Sequence, residues 1–244
     1  MLYKAKKGQV SYGEAIGILL LDTSFSASIP GSVTNATTYT FPVRFKVVKG
    51  LTVERMFNGE TRTLDLIIEA GNELVENGVR AITSNCGFMA VFQREVSKQF
   101  EVPVFLSSLL QLSFLTRIIG EGQKVGIITT RSKLCDATLL REVGINDMNS
   151  VYIKGLQDKE NFRKAVTEQC GCLDSEKVEK EVVSTAKEMV KEEPRIKVIL
   201  LECAALPPYG AAVQEVLNLP VFDFATMINY VYSAVNKKRF EAFM

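Results

Sequence analysis

No histidine occurs among the 244 residues of this chain. That absence excludes a Ser-His-Asp triad, a Cys-His dyad and any His-ligated metal site. It also removes the side chain that most often serves as a general base near neutral pH. Acid–base work must fall to Cys, Asp, Glu, Lys or Tyr. The sequence also lacks Gly-x-Gly-x-x-Gly and Gly-x-x-x-x-Gly-Lys-[Ser/Thr], so no motif supports a nucleotide cradle. An excess of charge of either sign is missing too. The 29 basic residues face 28 acidic ones, which leaves no electrostatic footprint for nucleic acid or for a membrane surface. Apolar runs such as Ile16 to Leu21 have strand length and fall far short of a membrane span. The opening residues lack the apolar core of a signal peptide, and a cytoplasmic location is expected.

What is present is an ordinary globular composition, 47% hydrophobic, with five cysteines. In a cytoplasmic setting these read as thiols rather than bridges. Cys135 falls in a helical pattern and is assigned to core packing. Cys170-Gly171-Cys172 has no histidine or second cysteine pair beside it, so it is read as a loop or helix end; no metal site is expected. Short apolar runs predict strands over 15–22, 41–48, 80–84, 102–106, 124–130, 151–154, 197–201 and 220–224. Helical spacing covers 62–77, 87–100, 109–119 (with Gly120 as its C-cap), 132–143 (with Ser132 as its N-cap), 175–192, 209–217 and 227–238. Strands alternating with helices imply parallel sheets covered by helices.

The chain also repeats itself. Ala81-Ile82-Thr83-Ser84-Asn85-Cys86 runs into a helix and then Pro103-Val104-Phe105. Val198-Ile199-Leu200-Leu201-Glu202-Cys203 runs into a helix and then Pro220-Val221-Phe222. Each cysteine precedes its Pro-Val-Phe by 17 residues. Ile16-Gly17-Ile18 likewise pairs with Val125-Gly126-Ile127. The fold expected is α/β, with two pseudo-symmetric lobes. Each lobe is a parallel sheet flanked by helices, and each carries a cysteine at the carboxyl end of a strand, where open parallel sheets bind ligands. The amides of Gly87 and Phe88 should open a helix N-terminus that binds a carboxylate and draws the Cys86 thiol down from about 8.5 toward neutrality. Ala204 and Ala205 are small enough for backbone to approach a ligand. Two thiols on opposite sides of one ligand can remove a proton from a carbon next to a carboxylate and return one to the other face, without a cofactor. Addition and elimination chemistry is open to the same pair.

The stretches Thr83-Ser84-Asn85-Cys86-Gly87-Phe88 and Leu201-Glu202-Cys203-Ala204-Ala205-Leu206-Pro207-Pro208 resemble the two cysteine motifs of the aspartate/glutamate/hydantoin racemase superfamily, which includes maleate isomerase and arylmalonate decarboxylase. The resemblance covers nearly the whole chain. It implies lobe one from residues 1–115 plus 226–244, with the last helix packing back on it, and lobe two from 116–225. It implies a cofactor-independent active site between them, with Cys86 and Cys203 as the acid–base pair. Asp22-Thr23 resembles an Asp-Ser near the substrate, and Pro30-Gly31 falls in a pocket-lining loop. Asn85, Gly87 and Phe88 would form a carboxylate pocket, and Thr129-Thr130 would face the same cleft. Asp22 as a loop-capping carboxylate and the threonines as turn or N-cap residues remain open readings. Gly-Phe and Ala-Ala follow the cysteines here where glutamate racemases have Asn-Thr and Thr-His, which argues against a glutamate racemase proper.

The function expected is therefore a cofactor-independent racemase, epimerase or isomerase acting on a small carboxylate. The alternatives are a lyase, decarboxylase or cis-trans isomerase of the same fold, or a non-catalytic binder of small molecules. The partners expected are a small carboxylate and further copies of the chain, as a homodimer or larger homo-oligomer. Neither nucleic acid nor a membrane is expected.

Overall fold

A computed structural model describes residues 2–5, 7–23, 26–58 and 62–244. The apolar runs form two four-stranded sheets. In the first, β1 (Ile16–Leu21), β2 (Val43–Val48), β3 (Ala81–Ser84) and β4 (Val104–Phe105) lie in the order β2-β1-β3-β4. In the second, β5 (Lys124–Thr129), β6 (Val151–Gly155), β7 (Ile196–Leu201) and β8 (Val221–Phe222) lie in the order β6-β5-β7-β8. All neighbours are parallel. The sequence repeat is thus a repeat of topology.

Helices connect the strands. α1 (Val53–Asn58) and α2 (Thr63–Glu76) lead from β2 to β3, α3 (Gln93–Ser97) leads to β4, and α4 (Leu112–Ile118) to β5. α5 (Ala137–Glu142) precedes β6, α6 (Glu160–Phe162) and α7 (Ser175–Glu192) precede β7, α8 (Gly210–Leu217) precedes β8, and α9 (Phe224–Val235) comes last. α7 has the span its pattern predicts. Asp174 caps it by accepting from the Lys177 N–H, and Val178, Val182, Thr185, Ala186 and Met189 form its buried stripe. α2 buries Ile67, Ala70, Gly71 and Leu74 on one face.

Several expected helices are shorter and tighter. After Cys86 the chain makes a 3-10 turn, Gly87–Phe92, before α3. After Cys203 it makes another at Pro207–Tyr209 before α8, where two prolines supply no N–H. A 3-10 turn at Ser108–Gln111 likewise opens α4. α4 ends with Ile119 in extended backbone, so Gly120 is no left-handed cap; its N–H is held by Gln123 instead. Ser132 opens only a 3-10 turn, and Asp136 caps α5 through the Thr138 and Leu139 N–H groups. Neither α1 nor the helical segment from Glu160 through a π-turn at Arg163–Thr167 is anticipated by the pattern.

The halves share their core. Met89, Leu109, Leu112 and Leu115 pack in one cluster with Val125, Ile127, Leu139, Leu140, Val198 and Leu200. α9 returns to the first sheet, where Phe224, Met227 and Ile228 pack with Ile16, Ile18, Ala81 and Phe105. Among the described residues no helix is long and apolar enough to cross a membrane.

Candidate active site

In each sheet the strand order reverses beside the central strands, β1 and β3 or β5 and β7. A crevice opens outside the carboxyl ends at such a switch point. A cavity of about 290 Å³ lies there, walled by both halves. From the first half come Thr23, Asn85, Cys86, Gly87 and Phe88; from the second, Thr130, Cys203, Ala204 and Ala205. The sequence repeat therefore brings both thiols to one cavity. The β1–β2 loop crosses to the second half and closes this wall. Val33 donates its N–H to the Ala204 carbonyl (3.0 Å). Gly31, at a φ of +97°, lies against Pro208, where a Cβ would stand 3.0 Å from the proline Cα.

Three expected wall residues lie elsewhere. Asp22 is exposed and accepts the Gly50 N–H (2.8 Å), so it caps the loop after β2. Pro30 is exposed at the turn before Gly31, and its neighbours Ser28, Ser32 and Thr34 line the cavity in its place. Thr129 ends β5, where strand alternation turns it into the protein. It is fully buried and donates to Glu202 Oε2 (2.8 Å).

The thiols are not acidified. Burial pushes Cys86 up to about 12, and the charge of Glu202 pushes the same way; the N–H groups of Phe88 and Met89 oppose both. Cys203 is raised by burial, by Glu202 and by Cys86, against one N–H from Ala205, 3.5 Å from its sulfur. Two amides of a short 3-10 turn do not outweigh a narrow apolar enclosure and an adjacent carboxylate, which corrects the expected shift toward neutrality. Cys135 is buried in the core as expected, while Cys170 and Cys172 are exposed in a loop. Among the described residues no group of Cys, Asp and Glu could hold a metal ion.

Glu202, which no sequence motif marks as functional, also lines the cavity. It is 1% exposed, and burial raises its carboxyl to about 7 against hydrogen bonds from Thr129 and the Thr130 N–H. Its Oε1 has no hydrogen-bond partner. The signal was a charge set between an apolar strand and Cys203. Arg131, Thr167 and Gln169 also line the cavity and are likewise unmarked by any motif.

No family model matches the sequence. The chain is 33% identical over 216 residues to a dimethylsulfoniopropionate lyase of Durusdinium sp. clade D, an alignment covering 86% of this chain and 71% of that protein. The chain belongs to the dimethylsulfoniopropionate lyase family. It is also 28% identical over 230 residues to dimethylsulfoniopropionate lyase 5 of Emiliania huxleyi (strain CCMP1516), covering 90% of this chain but only 45% of that protein. In structure it resembles an aspartate racemase homologue from Pyrococcus horikoshii OT3 (TM-score 0.56, 18% identity, 91% of this chain and 99% of that one). It also resembles unliganded arylmalonate decarboxylase (TM-score 0.57, 13% identity, 91% and 92%). The racemase-superfamily likeness thus holds as a likeness of fold.

The expected isomerase is overturned, because the sequence relatives are named as lyases, enzymes that cleave. The physical reason is that both reaction types can begin by removing a proton next to a carboxylate. Cysteines at two strand ends do not encode whether a proton returns or a leaving group departs.

Proposed function

We propose that this chain cleaves dimethylsulfoniopropionate by β-elimination, releasing dimethyl sulfide and acrylate. Two thiols sharing one cavity, in a chain 33% identical to a protein named for that cleavage, carry the reading. The C–H bond next to the carboxylate breaks and its proton passes to a thiolate. The electron pair forms the Cα=Cβ bond. The Cβ–S bond breaks, and its pair leaves on dimethyl sulfide. The sum is one zwitterion converted to acrylate, dimethyl sulfide and a proton, with no redox change.

Cys86 is the base in this scheme, because the backbone N–H groups of two residues, Phe88 and Met89, favour its thiolate where that of one, Ala205, favours the thiolate of Cys203. Cys203 remains a thiol and hydrogen-bonds the enolate-like charge that develops. Both are held neutral until a cation enters; the sulfonium then favours the thiolate through its charge. Arg131, Thr130 and Ser32 offer the carboxylate its partners, while Phe88, Leu20, Val47 and Val53 supply apolar and aromatic surface for the methylsulfonium end. Asn85 fixes Cys86 relative to β1, donating its N–H to the Leu19 carbonyl (3.0 Å) and accepting the Leu21 N–H (2.9 Å). The same reading divides the chain into 1–115 plus 226–244 around Cys86 and 116–225 around Cys203, supported by one sheet in each part.

The test is direct. Purified protein incubated with dimethylsulfoniopropionate should release dimethyl sulfide, read by headspace gas chromatography, and an equal amount of acrylate, read by NMR. Folded protein that leaves the substrate intact refutes the proposal.

A further inference from the structure

Glu202 and Asn85 hold equivalent places in the repeat, each directly before its cysteine. Both do the same backbone work. The Asn85 N–H bonds the Leu19 carbonyl and its side chain accepts the Leu21 N–H. The Glu202 N–H bonds the Ile128 carbonyl (2.9 Å) and its side chain accepts the Thr130 N–H. Leu21 and Thr130 themselves correspond when Gly17 is matched to Gly126. A neutral amide therefore suffices for the structural task, and the ionisable group in the second half calls for another explanation.

Glu202 also reaches across to the first half. A Cβ on Gly87 would fall 1.7 Å from Oε1, so the glycine exists beside this carboxyl only by lacking one. Oε2 is engaged by the Thr129 hydroxyl, leaving Oε1, buried and unpartnered, as the atom that carries the proton when the group is neutral. The titratable groups its charge reaches are Cys86 after β3, Cys203 on its own segment and Cys135 before α5. Arg131 lines the same cavity.

We propose that Glu202 is a positioning residue for both thiols, neutral in the working site and suppressing thiolate formation at Cys86 and Cys203 once it ionises. The inference rests on the assignment of those thiols as the reacting groups. Because the carboxyl titrates near 7, the thiols face a neutral neighbour below that pH and an anion above it.

Alkylation by iodoacetamide, mapped by mass spectrometry from pH 5.5 to 9.5, reads this without any substrate. In the wild-type protein the logarithm of the rate at Cys86 and Cys203 should rise, flatten around pH 7 and rise again. In Glu202→Gln it should climb without the flattening, and at pH 8.5 the rate should exceed wild type by about tenfold or more. Thr129→Val removes a bond that favours the ionised carboxylate, so the flattening should move to higher pH. This second variant decides the matter if Glu202→Gln does not fold. Superimposable profiles for wild type and Glu202→Gln overturn the inference, as does an unmoved flattening in Thr129→Val. Dimethyl sulfide release measured on the same samples separates the two readings. Cleavage with superimposable profiles sinks the Glu202 role alone. The expected profiles without cleavage leave that role standing and sink the lyase.

Discussion

Cys86 and Gly87 are adjacent and do different work. The thiol is useful because it opens on the cavity; the glycine is useful because it has no side chain. A methyl group at Gly87 would meet Glu202 Oε1 at 1.7 Å and the Glu202 carbonyl at 2.8 Å, and neither the strand-end backbone nor a carboxyl tied to Thr129 and Thr130 can retreat freely. Gly87→Ala should therefore cost about 1–3 kcal/mol, the usual range for overpacking, seen as a lower urea midpoint; an unchanged midpoint would contradict the packing. The thiols were legible in the sequence because they recur at equal spacing. The role of Gly87 was not, since the group it accommodates lies more than a hundred residues away. Glu202 stood in plain view beside Cys203, but its burial depends on the Thr129 hydroxyl and the Gly87 gap, which no local pattern reports.

Among the elements, the longest periodic segments, 62–77 and 175–192, match α2 and α7 to within a residue, whereas α9 begins and ends three residues before the expected 227–238. α7 matched its pattern throughout because a stripe of five buried residues fixes the period. The turns after the cysteines carry helical spacing without starting an α-helix. Their apolar residues do pack inward, but the chain reaches the helix through a 3-10 turn. β4 and β8, each at one edge of its sheet, form over two of the five residues expected for them. α9 depends on a cap that pattern reading did not name. Asp223 Oδ1 accepts from the Thr226 N–H (2.7 Å) and hydroxyl (3.0 Å), while its carbonyl receives Gln111 Nε2 (2.9 Å). Asp223→Ala should cost about 0.5–2 kcal/mol and loosen α9 from the first sheet, read as faster amide exchange through Met227 and Ile228. Exchange at the wild-type rate would show that core packing alone holds the helix.

For the whole molecule, the buried carboxyl between the halves makes stability depend on pH. The folded protein holds the Glu202 proton up to about 7, whereas the unfolded chain releases it near the ordinary 4.5. A raised carboxyl stabilises the fold fully below 4.5 and loses that contribution as pH rises toward 7. The loss is about 3 kcal/mol at 1.36 kcal/mol per pH unit. The difference in unfolding free energy between wild type and Glu202→Gln should change by that order between pH 4.5 and 7.5, with wild type losing ground; a constant difference would place Glu202 outside the buried junction. The central claim concerns the reaction proposed for this junction, and Cys86→Ser tests it most directly. Serine keeps the shape and hardly ionises near neutral pH. With the fold verified by circular dichroism, the variant should release dimethyl sulfide from dimethylsulfoniopropionate about 10²–10⁴-fold more slowly than wild type, the span that loss of a positioned base commands. Release at a rate close to wild type would contradict the account.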